Sequence, residues 1–366
     1  MKPRVLLITS IYPPQVGGPA IFTSRYSEWL SNQNIENIVI SYDIRKAKST
    51  PNKIFVNLYP MRAISFLIFV YKIIRNSSRK TLILSNGAFI ETHIACRITG
   101  RKYVAKIPGD PVWELSRNRK WTLLSRKDFQ FAKLKFAQLI LRFAFNSSFK
   151  NAKYLIAPAN ELVVFSKNWG VPEKKIKLIF NCVDPNKFKS LEKKQKKYDL
   201  ISVSRLVEGK GIKELIECAA YLNLKLVIVG DGPLFNELHN FSINLGAQID
   251  FVGNLSNDNV VDLLNDSRIF VLNSDSEATS YALIEAKMCE LPILAKRNDG
   301  SLTIVRHKID GLIYSSELND TLLESIKVLV TNSKLISDLG NAGRQDALTR
   351  FNQELNFNQI LELLVS

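Results

Sequence analysis

Two glutamates, Glu277 and Glu285, stand eight positions apart across a predicted strand end and helix start. The apolar run RIFVLN (268–273) predicts a strand, and the polar loop SDSEATS after it predicts that the strand ends there. A helix should begin near Thr279 or Ser280, because both residue types are favoured N-caps. The free N–H groups and the positive dipole end of that helix would favour a bound anion such as a phosphate.

Glu277 precedes this helix start, whereas Glu285 lies about five residues into the helix, roughly 7 Å along its axis at about 1.5 Å per residue. One carboxylate could therefore reach one side of a bound diphosphate and the other the far side, which would suit a nucleotide sugar. The alternative is that Glu277 is a solvated loop residue and Glu285 a surface charge, as most charged residues are. Because Leu283, Ile284 and Met288 are its apolar neighbours, Glu285 is expected to be buried and to need a partner.

A basic pair, Arg205 and Lys210, occupies the segment SRLVEGKG (204–211) at the end of another predicted strand. Arginine supplies a forked set of donors and lysine a point charge, a combination that suits a diphosphate. A solvated basic loop is the alternative interpretation of these residues. The next two predicted strands end at VGDGPL and at FVGNLS, where Asn254 and Leu255 could present backbone groups to a base edge.

The chain has 366 residues, of which 46% are hydrophobic, and this indicates a folded protein of two domains. Its longest apolar run, AISFLIFVY (63–71), is about half the length that a membrane span needs. The N-terminal sequence MKPRVLLITSIYPP predicts a first strand and not a signal peptide. The four cysteines are scattered without a CxxC pair, which predicts reduced thiols in the cytoplasm.

Positive charge is concentrated in the first half: residues 1–190 carry a net charge of +22 and residues 191–366 carry −6. A basic half should meet an anionic membrane surface, a lipid diphosphate or a nucleic acid. A general lysine bias is the alternative, but it would enrich both halves. Segments 59–80 and 125–153 mix apolar and basic residues, which fits helices on an anionic bilayer or core helices with lysine rims. No nucleic-acid recognition motif is evident, so we expect no nucleic-acid partner.

Predicted strands and helices alternate in both halves, which is the pattern of doubly wound α/β domains. The lysine-rich segment PNKFKSLEKKQKKYD separates the two series and predicts a linker. We therefore expect two facing Rossmann-like domains with a cleft between them. The expected bounds are 1–184 for an N-terminal acceptor-binding domain, 185–198 for the linker, 199–345 for a nucleotide-sugar-binding domain, and 346–366 for a C-terminal helix that packs back on the N-terminal domain.

An ordered set of motifs resembles the retaining glycosyltransferases of family 4, which have the GT-B fold. The set comprises PPQVGGPA, FNCVDPNKF, SRLVEGKG, VIVGDGP, DFVGNLS, FVLNSDSEATSYALIEA, LPILA and HKIDGLIY. The resemblance spans nearly the whole chain and is strongest over residues 199–315. It implies an enzyme that takes a sugar from a nucleotide diphosphate sugar with retention of configuration and without a bound metal.

The resemblance also implies roles for the four charged residues above. Arg205 and Lys210 match the basic pair that binds the donor diphosphate. Glu277 matches the first glutamate of the family's E-x7-E motif, which lies by the transferred sugar. Glu285 matches the second glutamate, which holds the ribose hydroxyls.

Five further positions follow from the same resemblance. Backbone amides at Thr279, Ser280 and Tyr281 would contact the diphosphate and the sugar, and Gly17 and Gly18 would let the N-terminal domain close over the donor. The sequence has three histidines and no Asp-x-Asp motif, in agreement with charge neutralisation by cations and a helix end. The expected substrate is a UDP- or GDP-sugar, with no cofactor and no metal.

The chain departs from the family pattern on the acceptor side. The family's common active-site histidine would follow the predicted strand KYVAKI, where this sequence has PGDPVWE (108–114) instead. Asp110 is therefore our candidate for the acceptor-side polar group, and a turn residue between Gly109 and Pro111 is the alternative. Ala278–Ser280 replace the family's usual glycines and aromatic residue after the first glutamate.

We therefore predict a metal-independent hexosyltransferase whose acceptor is a lipid-linked or other saccharide, as in envelope polysaccharide or glycolipid assembly. Peripheral association with the inner face of the cytoplasmic membrane would fit the basic first half. The alternatives are a two-lobed binding protein without chemistry and another GT-B enzyme, such as an inverting transferase or an epimerase. Binding of UDP or GDP in the presence of EDTA would favour the transferase.

Overall fold

The structure, a computed structural model, describes residues 4–15, 17–43, 49–191, 195–315 and 321–366, without the side chain of Asn257. The chain divides into two compact units, one formed by Met1–Phe180 with Phe357–Ser366 and the other by Asn181–Asn356. The predicted linker, 185–198, falls within the second unit, and its residues 192–194 lie outside the described residues.

The first unit contains a seven-stranded parallel sheet in the order β3-β2-β1-β4-β5-β6-β7. Its strands are β1 (Arg4–Thr9), β2 (Asn37–Asp43), β3 (Lys53–Asn57), β4 (Thr81–Asn86), β5 (Val104–Lys106), β6 (Tyr154–Ala157) and β7 (Ile176–Leu178). Its helices are α1 (Gly18–Asn32), α2 (Arg62–Asn76), α3 (Phe89–Thr99), α4 (Pro111–Asn118), α5 (Arg126–Phe129), α6 (Phe136–Asn151) and α7 (Asn160–Asn168).

The central strands of this sheet are buried because helices cover both faces. Leu6 and Ile8 of β1 pack in one core with Ile40 of β2 and Ile83 of β4. Such continuously apolar strands are typical of parallel sheets. The strand order reverses between β1 and β4, and ligands of doubly wound sheets bind beside such a reversal, at the carboxyl ends of the strands.

The second unit contains a six-stranded parallel sheet in the order β10-β9-β8-β11-β12-β13. Its strands are β8 (Tyr198–Val203), β9 (Leu226–Val229), β10 (Ile249–Phe251), β11 (Ser267–Leu272), β12 (Ile293–Lys296) and β13 (Leu312–Tyr314). Its helices are α8 (Ile212–Tyr221), α9 (Phe235–Asn244), α10 (Asn257–Asn265), α11 (Tyr281–Met288), α12 (Asp299–Ile304), α13 (Leu322–Val330) and α14 (Ser333–Arg350). The order reverses between β8 and β11. The predicted pair of Rossmann-like parallel sheets is therefore confirmed.

The last helix, α15 (Gln353–Val365), ends in the first unit. Phe357 packs there against the rings of Phe22, Tyr26 and Trp29, with centroid separations of 5.9, 4.9 and 5.7 Å. These aromatic contacts join the end of the chain to α1. None of the helices in the described ranges is both long enough and apolar enough to span a membrane.

Candidate active site

The candidate site of the second unit begins in the loop between β11 and α11. Ser280 is the N-cap of α11, and its hydroxyl accepts a hydrogen bond from the backbone N–H of Leu283 at 3.4 Å. The helix therefore begins at Tyr281, next to the predicted start. Because the helix follows a strand, its N-terminus and positive dipole end lie at the carboxyl edge of the sheet.

Lys210 and Glu277 meet at this edge, although 67 positions separate them in sequence. Lys210 Nζ donates to Glu277 Oε1 at 2.5 Å and to Ser274 Oγ at 3.3 Å. The lysine side chain is 21% exposed and the glutamate side chain 15% exposed, so the pair is only partly screened by water. An ammonium group has three donors. Lys210 can therefore keep both contacts and still donate to a further anion.

Arg205 lies on the same loop as Lys210, after β8. Its side chain is exposed, and within the described ranges no acceptor is bonded to its guanidinium group. An exposed guanidinium group offers five donors in a planar fork that matches two phosphate oxygens. The loop after β8 thus presents one free cation and one cation that is paired with Glu277.

Two glycines of the VGDGPL turn let the Arg205 loop pack closely against the end of β9. A Cβ atom on Gly230 would lie 1.9 Å from the carbonyl oxygen of Ser204, and one on Gly232 would lie 2.3 Å from that of Leu206. Contacts this short cannot exist between real atoms. A side chain at either position would displace the backbone on both sides of Arg205.

Asn273 connects the loop after β8 to the end of β11. Its Nδ2 donates to the carbonyl oxygen of Gly211 at 2.7 Å, and the Tyr314 hydroxyl donates to its Oδ1. Gly211 has a φ of +61°, and a Cβ there would lie 2.3 Å from Asn273 Nδ2. Our sequence analysis did not identify Asn273. The available signal was a polar residue directly after four apolar positions of a buried strand.

The Glu277 loop is also fixed from the β12 side. Asn298 Nδ2 donates to the carbonyl oxygen of Ser274 at 2.8 Å. Gly300 packs so closely that a Cβ on it would lie 2.6 Å from the Cβ of Glu277. The segment NDG (298–300) after β12 therefore supports the backbone that carries Glu277.

Thr279 has a side-chain partner from the FNCVDPNKF segment. Asn181 Nδ2 donates to Thr279 Oγ1 at 2.7 Å, and Asn181 is only 7% exposed. This bond ties the start of the second unit to the loop before α11. Asn181 is a second residue whose role the sequence analysis missed.

Glu285 lies on α11 and is 8% exposed, which agrees with the predicted burial. A cluster of polar contacts further along α11 holds the helix in place. Lys287, fully buried, bonds Asp346 Oδ2 at 2.6 Å and the Ile304 carbonyl oxygen at 2.7 Å, and its Nζ lies 3.1 Å from Asp310 Oδ1. Burial lowers the pKa of Lys287, and the two carboxylates oppose that shift.

Asp346 belongs to α14, so this buried cluster joins α11 to α14. Burial by itself would raise the pKa of Asp346, but hydrogen bonds from Arg350 and Lys287 hold it below the usual value. The cluster fixes the orientation of α11 and with it the placement of Glu285.

Asn254 and Leu255 lie in the loop after β10, at the far end of the same edge. Three strand intervals separate β10 from β11, or about 14 Å at about 4.8 Å per interval. Asn254 is exposed, and the adjacent Gly253 carbonyl oxygen accepts from the Gly230 N–H at 2.8 Å. The predicted residues of the second unit are therefore distributed along one edge and not gathered at a point.

In the first unit, Gly17 and Gly18 lie between β1 and α1. Gly18 is the first residue of α1, and the Gly17 carbonyl oxygen accepts from the Ile21 N–H at 3.1 Å. Both therefore lie at the carboxyl edge of their own sheet. Their predicted part in closure over a donor stays a prediction.

Asp110 has a structural role that differs from the predicted one. It is the N-cap of α4 and is fully buried, and its Oδ1 accepts from the backbone N–H groups of Val112 and Trp113 at 3.0 and 3.3 Å. Arg142 donates to both carboxylate oxygens at 3.0 and 2.8 Å, and Gln130 donates to Oδ2 at 2.8 Å. These partners make Asp110 the buried N-cap residue that the turn-residue alternative expects, and its part on the acceptor side stays a prediction.

Within the described part of the chain, no group of three or more His, Cys, Asp or Glu residues is arranged to hold a metal ion. The charges available at the edge described above are instead Arg205, Lys210 and the start of α11. Metal independence stays a prediction that depletion of metal can test.

Comparison with known proteins identifies a matching family and several relatives. Residues 183–346 match the family described as glycosyl transferases group 1. An uncharacterized glycosyltransferase of Methanocaldococcus jannaschii is 26% identical over 351 residues, which cover 93% of this chain and 92% of that protein. The N,N'-diacetylbacillosaminyl-diphospho-undecaprenol alpha-1,3-N-acetylgalactosaminyltransferase of Campylobacter jejuni is 31% identical over 232 residues, 57% of this chain and 60% of that protein.

A solved structure has the same fold along the whole chain. The Anabaena protein Alr3699/HepE in complex with UDP superposes with a TM-score of 0.76 at 19% identity, and the match covers all of both chains. At this identity the likeness shows the fold alone. Taken with the matched domain and the related enzymes, it shows that the second unit carries a glycosyl transferases group 1 domain and that the protein is a glycosyltransferase.

Proposed function

We propose that the protein is a retaining, metal-independent enzyme that transfers a hexose-type sugar from a UDP- or GDP-sugar to a lipid-linked or other saccharide acceptor. The observation that carries this proposal is the Lys210–Glu277 pair of 2.5 Å at the carboxyl edge of the second sheet. It sets a cation for a phosphate and a carboxylate for a sugar side by side, next to the N-terminus of α11.

The diphosphate would lie between the loop after β8 and the start of α11. Arg205 would grip it with its forked donors, and Lys210 would add the donor that Glu277 and Ser274 leave available. Backbone N–H groups near Tyr281 would complete the set. These donors stabilise the negative charge that develops on the leaving phosphate, which is where an enzyme gains most from fixed dipoles.

The base and the ribose would extend from the diphosphate toward β10. Glu285 would accept hydrogen bonds from the ribose hydroxyls, and the backbone near Asn254 and Leu255 would meet the base edge. The interval of about 14 Å between the β10 and β11 loops leaves room for a nucleotide lying along the edge.

Glu277 would face the transferred sugar, where positive charge develops as the bond to phosphate breaks. Because the cations already hold the phosphate, its departing oxygen can accept the proton of the acceptor hydroxyl on the same face of the sugar. The incoming oxygen then forms its bond on the face that the phosphate leaves, and the configuration is retained. No separate base is required, which suits a chain whose candidate Asp110 is buried in an ion pair.

The acceptor would be carried at a membrane, in envelope polysaccharide or glycolipid assembly. The name of the C. jejuni relative specifies an undecaprenol diphosphate acceptor, as does that of the 28% identical E. coli UDP-Gal:alpha-D-GlcNAc-diphosphoundecaprenol alpha-1,3-galactosyltransferase. In the first unit, exposed apolar side chains cluster on residues 123–143, where basic residues accompany them. These are Leu123, Leu124, Phe131, Phe136, Leu139, Ile140 and Phe143. A similar set lies at 59–71 and comprises Tyr59, Met61, Ile64, Leu67 and Tyr71.

The direct test is a panel of UDP- and GDP-sugars offered with lipid-linked and free saccharide acceptors in excess EDTA. We expect transfer from at least one donor, with an α-linked donor giving an α-linked product. Binding of nucleotide without transfer or hydrolysis of any donor would favour a binding protein, and an inverted product would favour another GT-B enzyme.

Membrane association is tested separately by co-sedimentation with vesicles. Recovery should be higher on phosphatidylglycerol-containing vesicles than on pure phosphatidylcholine and should fall as salt is added. Replacement of Phe136 and Phe143 by serine should reduce recovery, whereas replacement of the exposed Tyr221 of the second unit should not. Equal recovery on both vesicle types would end the membrane part of the proposal.

A further inference from the structure

A cavity of about 390 Å³ lies in the first unit at the amino ends of β4 and β5. It is on the edge of the sheet opposite to the one where ligands of doubly wound domains bind. Thr81 and Val104, the first residues of these two strands, form part of its wall, and Leu364 of α15 closes one side. The remaining wall is rich in positive charge. Its cations are Arg79, Lys80, Arg101, Lys102 and Lys153.

These five cations have no carboxylate partner within the described ranges. The described residues that line the cavity include no Asp or Glu, and none of the five forms a salt bridge with a described residue. Arg101 donates from a terminal nitrogen to the Arg79 carbonyl oxygen, while its Nε is buried without an acceptor. A buried donor without a partner costs free energy, so an acceptor supplied by a ligand would be favourable here.

Cations also collect near helix C-termini because they compensate the helix dipole. Helices α3 and α6 end near this cavity, but a carbonyl oxygen in the last turn of each helix already accepts from another group. The backbone N–H of Arg101 donates to Cys96 O at 2.8 Å. Lys175 Nζ donates to the carbonyl oxygens of Lys150 and Ala152 at 2.7 and 3.0 Å. The side chains that line the cavity do not supply these bonds.

The cavity is separate from the carboxyl edge of its sheet. Strand β4 runs from Thr81, in the cavity wall, to Asn86 at the opposite edge, a distance of about 17 Å at about 3.3 Å per residue. A ligand held at one edge does not reach the other. The volume of the cavity is at the small end of the range of about 300–1,000 Å³ that is usual for ligand sites.

We propose that this cavity is a second binding site, which takes a phosphate or diphosphate group. Five cations that have no carboxylate partner among the described residues, one buried guanidinium donor without a described acceptor and a small volume together match a compact polyvalent anion. The group could belong to a soluble phosphate compound or to a lipid head group, and both would present the same oxygens. The inference does not depend on the proposed donor or acceptor.

The soluble source is tested by calorimetric titration of the full chain with inorganic pyrophosphate. The protein carries Lys210→Met throughout, so that the candidate site of the second unit does not obscure the result. Combined Arg101→Gln and Lys153→Gln changes should weaken binding by about tenfold or more. Arg97→Gln with Lys174→Gln removes the same charge from exposed positions outside the cavity and should change affinity by less than about twofold.

The lipid source is tested with vesicles of phosphatidylcholine that contain phosphatidylglycerol. If a head group enters the cavity, the Arg101→Gln and Lys153→Gln protein should sediment less with these vesicles than the control protein does, and pyrophosphate should release the unmodified chain. If the source is soluble, pyrophosphate binding depends on the cavity and vesicle recovery is the same for both variants.

Either pattern supports a phosphate-binding cavity. Equal loss of binding in the cavity variant and in the control variant would show diffuse attraction to a basic surface, and the proposal would be wrong. It would also be wrong if neither pyrophosphate nor anionic vesicles bind in a cavity-dependent way while thermal unfolding shows that the variants are folded. Transfer from a nucleotide sugar is measured separately, so failure of the proposed function is distinguishable from failure of this site.

Discussion

Replacement of Lys210 by methionine tests the central pair of the candidate site. Methionine keeps an unbranched side chain of similar length and removes the charge. The change takes away the bond of 2.5 Å to Glu277 and the donor proposed for the diphosphate. It leaves the loop backbone in place, because Gly209, Gly211 and Asn273 hold that loop through main-chain packing and hydrogen bonds.

The expected size of the effect follows from the chemistry of the lost contact. A hydrogen bond to a charged group contributes about 1.5–3 kcal/mol, which corresponds to about a 10- to 150-fold change in dissociation constant. A further loss is expected because Glu277, only 15% exposed, would stand near the diphosphate without its cation. We therefore expect the upper part of that range for UDP or GDP, whichever the unmodified protein binds.

The assay is calorimetric titration with UDP and with GDP, and two other variants serve as comparisons. Lys225→Met removes the same charge from an exposed position before β9, at the opposite edge of the same sheet, and should leave affinity unchanged. Glu277→Gln should affect nucleotide affinity in the opposite direction to Lys210→Met. It frees the ammonium for the phosphates, so nucleotide affinity should stay equal or rise while sugar transfer falls.

A nucleotide affinity of Lys210→Met within about twofold of the unmodified protein would refute the reasoning, because it corresponds to less than about 0.5 kcal/mol. An equal loss in Lys225→Met would show that net charge, and not the pair, governs affinity. Weaker nucleotide binding in Glu277→Gln would show that this carboxylate holds the donor and does not merely face its sugar.

Three other substitutions and one solvent change follow from the structure. Asp110→Asn keeps the N-cap but leaves Arg142 without its charge partner, so we expect a loss of about 3–5 kcal/mol in urea unfolding with little change in nucleotide affinity. Gly230→Ala puts a methyl group 1.9 Å from the Ser204 carbonyl oxygen, so both thermal stability and nucleotide affinity should fall. The pKa of Asp346 is held below its usual value of 3.8, so the stability that this carboxylate contributes is present above pH 3.8 and is lost as the pH falls below 3.8. Asp346→Asn should therefore reduce the dependence of unfolding on acid pH. Excess EDTA should leave transfer unchanged, and loss of transfer that Mg²⁺ or Mn²⁺ restores would contradict metal independence.

Much of the fold could be predicted from the sequence because buried parallel strands are continuously apolar. The run RIFVLN (268–273) predicted a strand, and the structure has β11 at Ser267–Leu272. The strands that were not predicted, β3, β7 and β13, are three of the four outer strands of the two sheets. β3 and β7 are partly exposed and carry lysines, so they lack the apolar run on which such a prediction depends.

The charged residues of the site could be predicted because their motifs end predicted strands, and the carboxyl ends of parallel strands share one edge. The residues that hold them could not be predicted so directly. Asn273 and Asn181 act through side-chain hydrogen bonds to positions far away in sequence. No local pattern specifies such a pairing, and it becomes visible only when the two loops are placed together.

Asp110 shows what the structure adds to a sequence prediction on the acceptor side. The sequence Asp-Pro-Val-Trp carried the signal of a helix start, because aspartate is a favoured N-cap and proline favours the first helical position. The structure has this N-cap at the start of α4. The missing information was Arg142, which lies on α6 and neutralises the buried carboxylate. Burial of a carboxylate near a strand end therefore indicates a function only after its partners are known.

The two cations of the site are suited to different tasks because the fold holds them differently. Helix α11 has buried residues all around its circumference from Leu283 to Met288, and the Lys287 cluster anchors it, so the helix start and the Glu277–Lys210 pair form a rigid wall. Rigid donors need no reorganisation when charge develops on the leaving phosphate. Arg205 is exposed on a loop and can follow a phosphate as it enters and leaves. We therefore expect the wall to contribute most to stabilisation of the departing phosphate and Arg205 to contribute most to capture of the donor.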